Sequence, residues 1–269
     1  GGNTVATNLL ASSFIDSLEN AMVVASMGAT MLRDLNGNVA IPRQTSGATA
    51  YWVAESAAVT ESQAAFDQVS MTPKTVGAFS DISRKLLLQS SIDIEGFVRN
   101  DLAMRLAMAI DLSAIAGTGS SNQPTGILAT TGIGAKTFAA VGNPTFGEMV
   151  DVESQVSIDN ALFGSLGYVS TAAMAGAMKQ KAKDSGSGQF VMANGQVNGY
   201  NMAVTNQMTA NTVVFGNFAD LIIGMWGGLD INVDTSTGSA SGTVRVVCMQ
   251  DVDIAVRHAQ SFAKGSGGS

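Results

Sequence analysis

Nothing in this chain constrains its architecture more than the stretch Arg43-Gln-Thr-Ser-Gly-Ala-Thr-Ala-Tyr-Trp-Val-Ala-Glu-Ser-Ala-Ala-Val-Thr-Glu-Ser-Gln-Ala-Ala-Phe-Asp-Gln-Val-Ser-Met-Thr72. Thr49 to Val53 alternates in strand fashion, and so does Phe66 to Met71. Small and polar residues lie between, with Glu55 and Glu61 among them. The pattern predicts a long hairpin over 43–72. About 15 residues per arm at about 3.4 Å each give a projection of roughly 50 Å. A two-stranded hairpin is marginal in water on its own. Ordering each of its residues costs about 1–2 kcal/mol of backbone entropy. A projection of this length is expected to lie on another surface. A hairpin folded back onto its own domain is the plainer alternative.

Upstream, residues 1–11 are small and polar and predict an extended arm. Ser13-Phe-Ile-Asp16 has the shape of a capping box. Phe14, Leu18, Ala21, Met22 and Ala25 then repeat at helical spacing, which predicts a short amphipathic helix over 13–26. Asn36-Gly37 marks a tight turn. Val39-Ala-Ile41 reads as a short strand that Pro42 stops.

Downstream, Val76 to Ile82 reads as a returning strand. Ser90-Ser-Ile-Asp93 is a second capping-box shape and opens the longest helix, 92–116. Glu95 and Arg99 stand four apart in the favourable order, as do Asp101 and Arg105. Ile94, Phe97, Val98 and Leu102 form one stripe. Met104, Leu106, Met108, Ile110, Leu112 and Ile115 then cover most of the circumference. A helix apolar nearly all round is expected to be buried on several sides. Gly117 is placed to end it in a left-handed cap.

Thr145-Phe-Gly-Glu148 opens a further helix to about Asp159, and Thr171 can cap another through Lys183. Gly167 to Ser170, Val213 to Phe215, Leu229 to Val233, Val244 to Met249 and Asp253 to Val256 read as strands. Gly265 to Ser269 reads as a flexible end. Helices and strands mix without a regular βαβ rhythm, so the expected class is α+β.

Only 13% of residues are charged, against 46% hydrophobic. A chain so poor in charge has little solvated surface to spare; a large buried core is the plain reading, and extensive cover by partner subunits the sharper one. The net charge of -7 argues against gripping nucleic-acid phosphates, which needs clustered Lys and Arg. It leaves room for a container that merely surrounds nucleic acid. No window of about 18 apolar residues occurs, so no membrane span is expected.

Chemistry has few candidates. The single cysteine, Cys248, excludes an intrachain disulfide and sits in a strand-like apolar run. The single histidine, His258, follows a strand, where a structural role is commoner than catalysis. No Gly-x-Ser-x-Gly elbow or His-Glu-x-x-His helix is present. Gly117-Thr-Gly-Ser-Ser121 follows a helix, whereas a phosphate loop precedes one. No catalytic, cofactor-binding or metal-binding residues are expected, and the chain reads as not an enzyme.

Ile41-Pro-Arg43 followed by Gly47 to Glu55 resembles the start of the extended loop of tailed-phage major capsid proteins of the Hong Kong 97 type. Val69-Ser-Met-Thr-Pro-Lys74 is similar to that loop's exit strand. Ser83 to Leu87 and Ser91 to Glu95 resemble the approach to the family's spine helix. Gly117-Thr-Gly119 with Gln123 to Leu128 matches the segment after it. Gly216-Asn-Phe218, Gly228 to Ile231 and the closing Val-Arg-Val-Val-Cys agree with the later part. The resemblance runs from about residue 9 to 263.

That resemblance implies a division of the chain and a mode of assembly. An N-terminal arm and short helix would occupy 1–35. A peripheral domain would take 36–42 and 73–142, with the spine helix at 92–116. The extended loop would be 43–72, and an axial domain would cover 143–242. Residues 243–269 would return to the peripheral domain and end in a tail. Subunits of the family self-assemble into hexamers and pentamers of an icosahedral head around double-stranded DNA, without sequence-specific contacts. A maturation protease removes an upstream segment in many relatives, which fits the Gly-Gly start. Copies of the chain, a portal and possible decoration proteins are the expected partners, in a virion assembled in the bacterial host cytoplasm. Tyr51, Trp52, Glu55, Glu61, Phe66, Arg99 and Arg105 are the candidate inter-subunit contacts. Some relatives weld subunits through a loop lysine. Residues 43–72 hold no lysine, and Lys74 lies only at the base, so no such crosslink is expected. An encapsulin-like cargo shell and a soluble binding module are the competing readings.

Overall fold

The computed structural model describes residues 22–47, 50, 52–56, 58, 61–83, 94–186, 188–234, 236–238 and 242–267. The expected arm, the caps at Ser13 and Ser90, and Tyr51 lie outside the described residues. The elements begin with α1 (Val23–Ser26), β1 (Thr30–Leu35), β2 (Val39–Ser46), β3 (Ala65–Met71), β4 (Lys74–Ser83) and α2 (Ile94–Ala116). They continue with β5 (Gly134–Phe138), α3 (Phe146–Ile158), β6 (Leu166–Ser170), α4 (Ala172–Gln180) and β7 (Gln196–Val197). The last are β8 (Tyr200–Val204), β9 (Thr212–Asn217), β10 (Leu221–Asp234), β11 (Thr243–Val256) and β12 (Phe262–Gly267). Helices and strands are mixed; β6 and β8 pair in parallel with α4 between them, and no regular βαβ repeat runs through the described residues.

One sheet has the order β1-β10-β11-β4, built on the long antiparallel pair β10–β11. β4 alternates strictly, sending Val76, Ala78, Ser80 and Ile82 toward the helix α2. Leu102, Leu106 and Ile110 of α2 pack with Ile82, Ile223, Val246 and Cys248 in one core. Each such large apolar side chain contributes about 1.5–3 kcal/mol on burial. Within the single chain, among the described residues, α2 is covered on the sheet side only. One face is buried, while Phe97, Met104, Met108 and Leu112 are exposed. Gly117 also differs from expectation, because it is not left-handed. A Cβ there would meet the carbonyl oxygens of Ser113 and Pro124, so close approach and not φ selects glycine.

The second sheet has the order β5-β12-β9-β6-β8-β7. Helices α3 and α4 supply Met149, Val152, Val156, Met174 and Met178 to its core, against Phe138, Tyr168 and Phe215. The capping box of α3 forms as expected: Thr145 Oγ1 accepts from Glu148 N at 3.2 Å, and Glu148 accepts from Thr145 N at 2.6 Å. Thr171 caps α4, which stops at Gln180, three residues short of expectation. Gly265 and Gly267 lie in a strand, not in a loose end. Gly265 pairs with Lys136 of β5 on one side and Val213 of β9 on the other.

The two sheets draw on distant parts of the chain. β10, at 221–234, lies in the α2 sheet, and β12, at 262–267, lies with α3 and α4.

β2 and β3 form a separate two-stranded ribbon, paired from Val39↔Met71 to Ser46↔Ala65. Pairing runs through Pro42, opposite Gln68, where the strand was expected to stop. Proline is tolerated there because a two-stranded ribbon has only edges. None of the described residues between 47 and 64 is in a strand, so the expected strand at 49–53 is absent among them.

Candidate inter-subunit surface

The ribbon is rooted in a small core of its own. Met71 is fully buried with Ile222 and Trp226, and Leu35, Val39, Ile41 and Val69 pack against them. Trp226 Nε1 donates to Gly37 O at 2.5 Å, which ties down the turn before β2. At the base, Lys74 pairs with Asp253 at 2.6 Å. Asp253 also accepts from the backbone N–H groups of Thr72 and Ile254. Further out, Arg43 clasps Asp67 at 2.8 Å across the strands, and this bond holds Asp67 below its usual carboxylate range.

Beyond the clasp, the projection offers apolar groups to solvent. Trp52 is wholly exposed, and Val53 and Phe66 are largely so. Glu55 is exposed. Glu61 accepts from Gln63 Nε2 at 3.1 Å, within the loop itself. Trp52, Glu55, Glu61 and Phe66 thus lie on one projection. The two helix candidates lie elsewhere and face different ways. Arg99 is half-buried, and its charge acts on the thiol of Cys248 in the sheet. Arg105 is exposed and pairs with Asp101 at 3.6 Å.

A second exposed surface escaped the sequence reading. On the sheet face away from α2, Phe79 and Met249 are largely exposed. Arg245 makes two bonds to Asp81, Nε to Oδ1 at 2.7 Å and Nη2 to Oδ2 at 2.9 Å. Its guanidinium lies 4.7 Å from the centroid of the Phe79 ring. These bonds lower the Asp81 carboxyl below its ordinary value and raise Arg245. The only sequence signal was Phe79 at an outward position of an alternating strand.

Little here points to chemistry. Cys248 is fully buried, and burial raises its thiol, which disfavours the thiolate. Among the described residues no group of three His, Cys, Asp or Glu side chains is placed to hold a metal. Also among them, no helix is long and apolar enough to cross a membrane.

A family model described as the phage capsid family matches residues 1–267. A major capsid protein of Halomonas phage phiHAP-1 is 36% identical over 265 residues, covering 98% of this chain and 43% of that protein. The chain thus spans less than half the length of that relative. A major capsid protein of Klebsiella oxytoca phage phiKO2 is 26% identical, covering 99% of this chain and 68% of that one. The capsid subunit of a native GTA particle has the same fold, with a TM-score of 0.73 at 20% identity over 90% of this chain and 88% of that chain. An exposed apolar projection on a mixed α and β body, matched from end to end by one family model, leaves a single assignment: the chain belongs to the phage capsid family.

Proposed function

We propose that this chain is the shell-building subunit of a phage head, assembling into hexamers and pentamers around double-stranded DNA. One observation carries the reading. The β2–β3 ribbon is anchored in the body by Met71, yet presents Trp52 and Phe66 to solvent beyond its clasp. Exposed apolar groups on a projection are expected to be covered by a partner. In a shell of identical subunits that partner is another copy, and the contact is heterologous, closing into rings. Several modest contacts made at once multiply through effective concentration.

In this reading α2 and the β1-β10-β11-β4 sheet form the peripheral part. The β5-β12-β9-β6-β8-β7 sheet with α3 and α4 forms the axial part. Trp52, Phe66, Glu55 and Glu61 serve the loop contact, with Tyr51 beside them in the sequence. Arg105 is available at a subunit boundary, whereas Arg99 serves the helix–sheet packing. The acidic chain confines DNA without gripping it. A portal and decoration proteins complete a virion assembled in the host cytoplasm.

Electron microscopy of the purified protein tests the proposal. Closed shells are expected from the intact chain, and soluble, folded, unassembled protein from a variant lacking 47–64. A chain that stays monomeric at high concentration would reject the shell. Shells packed with an enzyme and free of DNA would instead favour a cargo compartment.

A further inference from the structure

The ribbon and the sheet beneath it are joined through Thr72 and Pro73, between the end of β3 and the start of β4. The β4–β11 ladder ends at Lys74↔Val252. The next residue of β11, Asp253, then takes over with its side chain. This residue is only 4% exposed. Its Oδ2 accepts the backbone N–H of Thr72 at 2.9 Å, and its Oδ1 accepts from Lys74 Nζ at 2.6 Å and from the N–H of Ile254 at 2.9 Å. One carboxylate thus grips the residues on both sides of Pro73, whose ring fixes its own φ near about −65°. Across the sheet, Asp253 stands opposite Gly224. Residues directly opposite in an antiparallel pair share one face. Gly224 leaves room for the tip of Met71, since a Cβ there would lie 3.0 Å from Met71 Cε. The carboxylate and the apolar seat of β3 are therefore neighbours on the sheet.

The two anchors act differently. Apolar burial is non-directional, so the Met71 seat holds the root down without setting its angle. Charge-assisted hydrogen bonds are short, strong and directional. A buried ion pair adds little net stability over apolar packing, and its best-attested use is to fix one geometry. On the premise that the chain builds a shell, we propose that Asp253 is a positioning residue for the inter-subunit contact. It sets the angle at which the β2–β3 ribbon leaves the body. β3 runs from Ala65 to Met71, a lever of about 20 Å at about 3.4 Å per residue. A swing of about 20° at the root would carry its far end about 7 Å sideways. Phe66 would then miss its place on a neighbour. An angle fixed beforehand reduces the ordering cost of docking.

Spin labels on Ala65→Cys and Asn232→Cys, both exposed, report that angle as a distance in the full, unassembled chain. Cys248 is fully buried and stays unlabelled. Pulsed electron resonance should give one narrow distance. Asp253→Ala should widen the distribution by about 5 Å or more in protein that remains folded. Met71→Ala, which weakens the same root, should keep the narrow distance. Without labels, Asp253→Ala should raise the concentration at which shells appear at least about 5-fold. An unchanged distribution in Asp253→Ala would overturn the proposal, as would equal widening in Met71→Ala. Widening that leaves shell formation at its original concentration would overturn it too. If the unaltered chain forms no shells, the premise fails and the role in assembly with it, whereas the distances still decide whether Asp253 aligns the ribbon. Should Asp253→Ala not fold, Lys74→Ala replaces it. The same widening is then expected, and an unchanged distance again overturns the assignment.

Discussion

The carboxylate of Asp111, in the middle of the long helix, holds the backbone N–H of Val23 at 2.7 Å across 88 residues of sequence. Burial pushes this carboxyl up from its ordinary 3.8 to about 6, against the opposing pull of the bonds from Val23 and Val24. The folded state therefore binds this proton more tightly than the unfolded state. Its stabilisation is fully present below about pH 4 and is lost as pH rises through about 6. A shift of about two units corresponds to roughly 3 kcal/mol. The difference in unfolding free energy between the unaltered chain and Asp111→Asn should fall by about that much from pH 4 to pH 7. Urea titrations across this range measure it. A difference independent of pH would sink the idea.

Local features of this fold were legible in the sequence and remote ones were not. Thr145 and Glu148 cap α3 as read, because a cap involves residues three apart. The span 92–116 nearly coincides with α2 because propensity and spacing act locally. Trp52 and Phe66 stood out as apolar residues in a polar projection. The Arg245 and Phe79 contact joins strands 166 positions apart, and no local pattern encodes it. The pairing of β10 with β1, Thr30 opposite Ile222, is likewise remote in sequence and left no local signal. Arg99 and Arg105 looked equivalent as charges, but six helical positions turn them toward different surroundings.

Gly265 separates a flexible tail from a structural strand. A Cβ there would strike the Phe138 ring and lie 2.8 Å from Val152 Cγ2. In an ordinary strand a β-branched residue would gain over glycine. Here Gly265→Val should destabilise the protein by about 1–3 kcal/mol through overpacking. Chemical denaturation of the unassembled chain measures this, and a neutral result would return residues 262–267 to the status of a loose end.

Covalent welding through the loop is not expected. Between 43 and 72 the only cation is Arg43, and it is engaged with Asp67. Lys74 is committed at the base, 2.6 Å from Asp253. Assembled particles boiled in detergent should release monomers as a single species. A ladder of multimers would contradict this and require another lysine to be the donor.

Met71 and Trp52 belong to the same ribbon but should fail in opposite ways. Met71 is fully buried at the root, so Met71→Ala removes packing against Ile222 and Trp226. It should cost the isolated subunit about 2–5 kcal/mol. Trp52 is wholly exposed in the single chain, so Trp52→Ala should leave subunit stability within about 0.5 kcal/mol. If the ribbon docks on a neighbour, the same change removes an aromatic anchor worth about 2 kcal/mol at each contact. The protein concentration at which shells appear should then rise at least about 10-fold, since each 1.4 kcal/mol is a factor of ten. Denaturation curves and light scattering on both variants read the two effects separately. Unchanged assembly by Trp52→Ala, with subunit stability also unchanged, would remove the loop tip from the inter-subunit contact.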